Sequence, residues 1–204
     1  MLVMPNGYKR CTAIREVNAD ADLVFSRILD FAAYPQMIQG VVRCDVYRRR
    51  LRPPATMNTY AKYRVRELGV SLEAFMAHEY DLAGRCLTFS LDYGRRSDMS
   101  DTVGYWYVEA LPDGWSRLYY SIDTALPPWI PPVVRDSLLG LAAKRATGWV
   151  EAETRRIADA RHVKAGAHVP AVGLRVRRLG TRLQLGLDGL SARCRARMLG
   201  GGGE

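Results

Sequence analysis

The chain has 204 residues, which is enough for one domain with a sizeable core plus an appendage, but not for two ordinary enzyme domains. Its formal net charge is +9, and residues 161–204 hold nine basic residues against two acidic ones, so the rest of the chain is nearly neutral. Any argument about an anionic partner therefore concerns this last segment.

The cysteines are few and widely spaced, at Cys11, Cys44, Cys86 and Cys194. They form no Cys-x-x-Cys pair and no Cys/His spacing suited to zinc, so we expect reduced thiols in a reducing compartment, such as the cytoplasm or an organelle interior. No apolar run reaches the roughly 18 residues of a membrane-spanning helix, and the N-terminal segment is too short for a signal peptide. We expect a soluble protein that needs no metal or other cofactor.

The first fifty residues begin with a strand and continue with two short helical segments. Asn18 and Asp20 offer side chains that cap a helix where the first strand ends. A second strand then alternates Val42, Cys44 and Val46 with polar residues, which places these three on one face. The predicted ranges are a strand at 8–17, a helix at 21–31, a helical turn at 34–39 and a strand at 41–50.

Five further strands follow, joined by short turns. The segment 57–67 alternates apolar and polar residues, which is typical of a sheet with one face in water. A Pro-Asp-Gly turn at 112–114 joins the last two strands. Hairpin connections of this kind predict an antiparallel sheet. The five strands are predicted at 57–67, 70–80, 85–93, 102–110 and 116–126.

The proline-rich segment 126–132 predicts a rigid, extended crossing, because its prolines fit neither a strand nor a helix. Beyond it, apolar residues recur at helical spacing and predict one long amphipathic helix over 131–161. A strongly curved sheet and one straight helix cannot touch along their whole length. The order of elements therefore predicts an apolar cavity between them.

The segment 17–49 begins with eight spaced residues: Val17, Ala19, Val24, Phe25, Ile28, Asp30, Tyr34 and Pro35. With these residues the segment resembles the opening of the polyketide cyclase/dehydrase and START-type lipid-transfer superfamily (SRPBCC), especially its coenzyme Q-binding branch. The segment 129–146 is similar to the crossing that leads into the final helix of that superfamily.

The resemblance implies the helix-grip fold, an α+β fold in which a curved antiparallel sheet wraps around a long C-terminal helix, with two short helices after the first strand. It implies a START-like domain at residues 1–160, followed by a basic, Gly-rich tail at 161–204 that is amphipathic or partly disordered. It does not fix the activity, since members bind lipids, quinones, hormones or polyketides.

The predicted inward faces supply aromatic and methionine side chains suited to an apolar guest, and each of them has packing in the core as its alternative role. His78 could orient a carbonyl group or move a proton. The candidate cavity residues are Tyr63, Met76, His78, Phe89, Trp106, Tyr120, Leu138, Leu141 and Trp149. A second set of residues could hold an anionic head group at the cavity mouth, or form a solvated surface: Arg64, Arg66, Arg95 and Arg96.

In the tail, apolar residues recur at steps of three or four, with arginines over much of the remaining circumference. This pattern is typical of a basic amphipathic helix on an anionic membrane or an acidic partner. Several glycines oppose it, because each costs about 1 kcal/mol in a helix interior. The arginines concerned are Arg175, Arg177, Arg178, Arg182, Arg193, Arg195 and Arg197.

The sequence has no nucleotide-binding loop, no Gly-x-Ser-x-Gly elbow and no helical His-Glu metal motif. We therefore favour a non-enzymatic protein that binds a small hydrophobic ligand, such as a lipid, a quinone or another isoprenoid, for transport or presentation. The final helix would act as a gate, and the tail would contact an anionic membrane. The first alternative is a polyketide cyclase/dehydratase, using His78, Tyr63 or an arginine. A module that associates with RNA or ribosomes comes third, because the tail lacks the interleaved aromatic residues that favour nucleic-acid binding.

Overall fold

The computed structural model describes residues 2–3, 9–52 and 56–164. The arginines of the predicted tail helix lie outside these residues, so its contact with a membrane or another anionic partner stays a prediction.

The strands are β1 (Leu2–Val3), β2 (Lys9–Val17), β3 (Val41–Arg52), β4 (Thr56–Glu67), β5 (Val70–Asp81), β6 (Cys86–Leu91), β7 (Asp101–Ala110) and β8 (Ser116–Ala125). The helices are α1 (Ala21–Ile28), α2 (Tyr34–Met37), α3 (Pro132–Arg145) and α4 (Gly148–Lys164), with 3-10 turns at Phe31–Ala33 and Pro112–Gly114.

The strands of the described chain form one antiparallel sheet in the order β1-β2-β8-β7-β6-β5-β4-β3. Hairpins join consecutive strands from β3 to β8, and β2 extends the sheet by pairing along its whole length with β8. The predicted α+β architecture is confirmed. The two-residue strand β1 adds to the predicted set.

The sheet curves strongly, and two local features show where. In β3 the register shifts between Val41 and Arg43 and again between Val46 and Arg48, as expected for bulges that bend an edge strand. In β7, a Cβ atom at Gly104 would lie 2.4 Å from the Phe89 ring and equally close to the Ser121 carbonyl oxygen. Only glycine fits there, because the neighbouring strands approach its backbone so closely.

The bulge in β3 corrects one prediction about the faces of the sheet. Val42 is 47% exposed, whereas Cys44 is only 8% exposed, so the two do not share an environment. An inserted residue reverses the alternation on which the prediction rested. Cys44 and Cys11 are buried free thiols.

The helix α1 closes one end of the inner face of the sheet, which we define as the face that carries Ala74, Met76 and His78 of β5. The Asp20 side chain caps α1 by accepting a hydrogen bond from the backbone N–H of Asp22 at 2.8 Å. The apolar side of the helix is fully buried, with Val24 and Ile28 at 0% exposure. This end of the molecule is a solid core.

The predicted C-terminal helical region is present but divided into α3 and α4 at residues 146–147. Arg15 of β2 holds the start of α4, since its Nε donates to Thr147 Oγ1 at 3.0 Å and its Nη1 to Glu151 Oε2 at 2.7 Å. Thr147 and Gly148 both have low helix propensity, which makes this the natural point for a break.

The two halves of the helical region pack differently. In α4, Val150 and Thr154 are at most 1% exposed, and the helix packs against α1. In α3, the leucines are only half-buried and face the space above the sheet. Within the described ranges, no helix has the length and apolar character needed to cross a membrane.

Candidate functional site

A cavity of about 350 Å³ lies between the inner face of the sheet and the helices α2, α3 and α4. This volume falls within the range of small-molecule sites, which runs from about 300 to 1,000 Å³. Its walls are mainly apolar and come from β4 to β8 as well as from the helices. The curvature of the sheet and the loose packing of α3 together leave this space open.

The structure brings all the sequence-predicted cavity residues together around this one cavity. That these side chains bind a ligand stays a prediction. Those from the sheet are Tyr63, Met76, His78, Phe89, Trp106 and Tyr120, and those from the helices are Leu138, Leu141 and Trp149.

Sequence reasoning missed several polar residues of the wall. Glu67 lies four residues after Tyr63 in β4, and Thr102 lies four residues before Trp106 in β7. The period of two that identified the apolar neighbours would have identified these as well, because alternate residues of a strand share a face. The polar residues that also line the cavity are Tyr34, Gln39, Glu67, Thr102, Thr124 and Arg145.

Aromatic rings run along one side of the cavity in a connected path. Tyr34 lies 6.0 Å from Tyr63 and 5.6 Å from Trp149, measured between ring centroids. Trp149 is 6.0 Å from Trp106, which in turn is 4.2 Å from Tyr120. These separations are typical of favourable aromatic pairs, so the rings support each other while one side of the path faces the open space.

His78 is held by two hydrogen bonds at the deep end of the cavity. Its Nδ1 lies 3.1 Å from the carbonyl oxygen of Thr59, and its Nε2 lies 3.1 Å from the hydroxyl of Tyr63. Burial lowers the pKa of His78 from 6.5 to about 4, although the Thr59 hydrogen bond acts in the opposite direction. The imidazole is therefore neutral near pH 7.

The phenols of the cavity wall are also uncharged at neutral pH. Burial raises the pKa of Tyr34, Tyr63 and Tyr120 above the ordinary value of 10. Tyr34 donates a hydrogen bond to the carbonyl oxygen of Ile28 at 2.5 Å. The deep end of the cavity thus offers polarity without formal charge.

Among the residues that line the cavity, only Glu67 and Arg145 carry a formal charge. Arg145 Nη1 of α3 donates to Glu67 Oε2 of β4 at 2.8 Å, and the side chains are 36% and 23% exposed. Their exposure places this ion pair at the mouth of the cavity. It joins the loosely packed α3 to the tip of the β4–β5 hairpin.

The arginines proposed for an anionic head group do not line the cavity. Arg64 pairs with Glu73 on the outer face of the sheet, where Lys62 also lies 2.9 Å from Glu73. The guanidinium of Arg95 lies 4.4 Å from the ring centroid of Tyr47 on that outer face. All four arginines are exposed and none lines the cavity, which favours the alternative of a solvated surface over a head-group clamp. In the described part of the chain, no cluster of His, Cys, Asp or Glu is suited to a metal ion.

A family model described as polyketide cyclase/dehydrase and lipid transport matches residues 10–160. A START superfamily protein from Mycobacterium smegmatis is 19% identical, with a TM-score of 0.61 over 74% of this chain and 99% of that chain. The Zhui aromatase/cyclase from Streptomyces sp. R1128 is 15% identical, with a TM-score of 0.61 over 79% of this chain and 99% of that chain.

An 18 kDa protein from Caulobacter crescentus is 16% identical, with a TM-score of 0.61 over 74% of this chain and 99% of that chain. At such low identities these likenesses show a shared fold. Among curated proteins, no sequence matches this chain.

Proposed function

Because the chain belongs to the polyketide cyclase/dehydrase and lipid transport family, we propose that it binds a small hydrophobic ligand in this cavity for transport or presentation. A lipid, a quinone or another isoprenoid suits the apolar walls. The observation that carries the proposal is the cavity of about 350 Å³ beside a core whose other parts are closely packed. Unfilled apolar space costs stability, so its presence favours a guest.

The electrostatics of the cavity support a carrier more than an enzyme. General acid or base catalysis works best with a group whose pKa lies near the working pH. In the deep cavity, the pKa of His78 is about 4 and burial raises the pKa of the tyrosines beside it. No group there exchanges a proton readily near neutrality.

A second candidate is a polyketide cyclase/dehydratase, favoured by the hydrogen-bonded pair of Tyr63 and His78 in the cavity wall. The family description names this activity beside lipid transport. Turnover of a linear polyketide analogue, lost in Tyr63→Phe, would support this candidate. Binding of the analogue without turnover would support the carrier.

The proposed function is tested by filling the cavity. Ala74 of β5 lines the cavity and is 5% exposed, whereas Ala77 of the same strand points to the outer face. We expect Ala74→Phe to weaken binding of the neutral probe N-phenyl-1-naphthylamine at least tenfold, and Ala77→Phe to leave it unchanged. Fluorescence titration measures both affinities.

Extraction and mass spectrometry of the purified full chain provide a second measurement. We expect an apolar molecule that accompanies the wild-type protein and the Ala77→Phe variant but not the Ala74→Phe variant. Equal probe binding by all three proteins, or a wild-type protein that takes up no apolar probe, would contradict the proposal.

A further inference from the structure

Five hydroxyl groups line the cavity, and all but that of Tyr120 use their single proton inside the protein. Each of these four donates to an acceptor of the chain itself, so none of these protons points to a guest. The four hydrogen bonds run from Tyr34 to the Ile28 carbonyl (2.5 Å), from Tyr63 to His78 Nε2 (3.1 Å), from Thr102 to the Asp123 carbonyl (3.4 Å) and from Thr124 to the Asp101 carbonyl (3.2 Å).

The direction of the bond between Tyr63 and His78 follows from the other side of the imidazole ring. The partner of Nδ1 is the carbonyl oxygen of Thr59, which can only accept, so Nδ1 carries the hydrogen. A neutral imidazole has one N–H, which leaves Nε2 as an acceptor. Tyr63 must therefore donate to His78, and its phenolic proton is not free for a ligand.

Because their protons are used in this way, Tyr34 and Tyr63 can offer a guest only their oxygen lone pairs. The rings of Tyr34 and Tyr63 are 6.0 Å apart, so both phenolic oxygens serve the same part of the cavity. A ligand hydroxyl placed there donates its proton to one of them. A ligand carbonyl placed there brings only further lone pairs and stays unpaired, which is costly for a buried polar group.

Two donors remain at the other end of the aromatic path, the Tyr120 hydroxyl and the Trp106 indole N–H. Their rings are 4.2 Å apart on the neighbouring strands β8 and β7. They are separated from the Tyr34 and Tyr63 pair by Trp149, which contacts both Tyr34 and Trp106. Trp149 itself carries a third donor, its indole N–H, so donors lie along the aromatic path, whereas Tyr34 and Tyr63 at its end offer a guest only their oxygen lone pairs.

We propose that the deep end of this cavity selects apolar ligands that carry an alcohol or phenol hydroxyl over the same skeletons with a carbonyl in its place. This inference rests on the proposed function and assigns it a ligand class. His78 acts as a positioning residue, because it keeps the Tyr63 proton away from the ligand and so fixes Tyr63 as an acceptor.

A matched set of tricyclic compounds tests the selectivity: fluorene, 9-fluorenol and 9-fluorenone, each measured by displacement of N-phenyl-1-naphthylamine from the full chain. We expect 9-fluorenol to bind about tenfold more tightly than 9-fluorenone, as the cost of one unpaired buried acceptor implies. If all three compounds bind but the alcohol gains nothing over the ketone, the inference is overturned and the proposed function stands. If none binds, the proposed function itself fails.

Two variants of His78 separate positioning from packing. In His78→Leu the acceptor of the Tyr63 proton is gone, so the phenol can donate to a ligand, and we expect the alcohol-to-ketone ratio to fall toward one. In His78→Gln the amide can donate to the Thr59 carbonyl and accept from Tyr63, so the ratio should stay near ten. A tenfold preference retained in His78→Leu would overturn the role of His78. Should that variant fail to fold, the wild-type ratio still decides the inference.

Discussion

The two faces of the sheet both carry aromatic clusters, and they are covered in opposite ways. On the outer face, Arg48 lies 3.6 Å from the ring centroid of Tyr60, and Lys62 lies 5.3 Å from that of Phe75. On the inner face, the described residues place no cation over the rings of Tyr63, Phe89 and Trp149, which border the cavity. The outer rings are covered by neighbouring cationic side chains, whereas the inner rings leave space for a guest.

This difference shows that aromatic residues alone do not identify a binding site. Long cationic side chains reach water while their stems and charged groups cover aromatic surface, which satisfies the outer cluster. The inner face cannot use this solution, since a charge would be costly to bury there. An apolar cavity with neutral hydrogen-bonding groups is the result, and three predictions test this contrast.

The largest effect on stability is expected from adding a side chain at Gly104, where neighbouring strands approach the backbone closely. A methyl group there meets both the Phe89 ring and the Ser121 carbonyl at 2.4 Å, and backbone cannot move away cheaply. We expect Gly104→Ala to lower the free energy of unfolding by about 3 kcal/mol or more. The neighbouring change Val103→Ala, at a side chain that is 46% exposed, should cost under about 1 kcal/mol.

Urea unfolding of the two variants measures this comparison. We expect this strand to tolerate the substitution on its outer face but not the one on its inner face. Equal losses in the two variants would mean that the inner face adjusts as freely as the outer one.

The second effect is a pH dependence of the free energy of unfolding, caused by His78 on the inner face. The pKa of His78 is about 4 in the folded protein, below its ordinary value of 6.5. Above pH 6.5 both the folded and unfolded states are neutral at this site. As the pH falls below 6.5, the unfolded state gains the proton first, so the folded state is progressively destabilised until about pH 4.

We expect this loss in the free energy of unfolding to reach roughly 2 to 3 kcal/mol by pH 4.5. The variant His78→Gln lacks the titration, so its stability relative to the wild type should improve by that amount between pH 7 and pH 4.5. Denaturant unfolding at both pH values measures the change. A stability difference that does not vary with pH would exclude a buried neutral histidine.

The smallest effect is expected on the outer face. Phe75→Leu removes the ring that faces Lys62 and Arg95, at 5.3 and 5.2 Å from its centroid. We expect a loss of about 1 kcal/mol in the free energy of unfolding, as for cation–π contacts at exposed sites, with no change in probe affinity. A marked change in affinity would show that the outer cluster takes part in binding after all.

The architecture and much of the cavity wall could be predicted because they depend on local periodicity. The alternation of Leu72, Ala74, Met76 and His78 places these four side chains on the inner face, and all are buried. Helical spacing placed Leu138 and Leu141 opposite them. Such patterns follow from the geometry of a strand or helix alone.

The remaining features depend on residues that are distant in sequence. The bulge that exposes Val42 is a mismatch between two strands, and the break before α4 is held by Arg15, which lies 132 residues before its partner Thr147. The Arg95 side chain that covers the Tyr47 ring comes from a loop of another part of the chain.

Sequence by itself therefore determined the order of the elements, the family and the apolar character of the inner face, because each is written in short-range spacing. Only the tertiary structure decided which rings stay uncovered and where the proton of Tyr63 points. That proton is fixed by Thr59 and His78, which face each other across β4 and β5. Hydrogen-bond direction depends on partners that meet only when the strands pair.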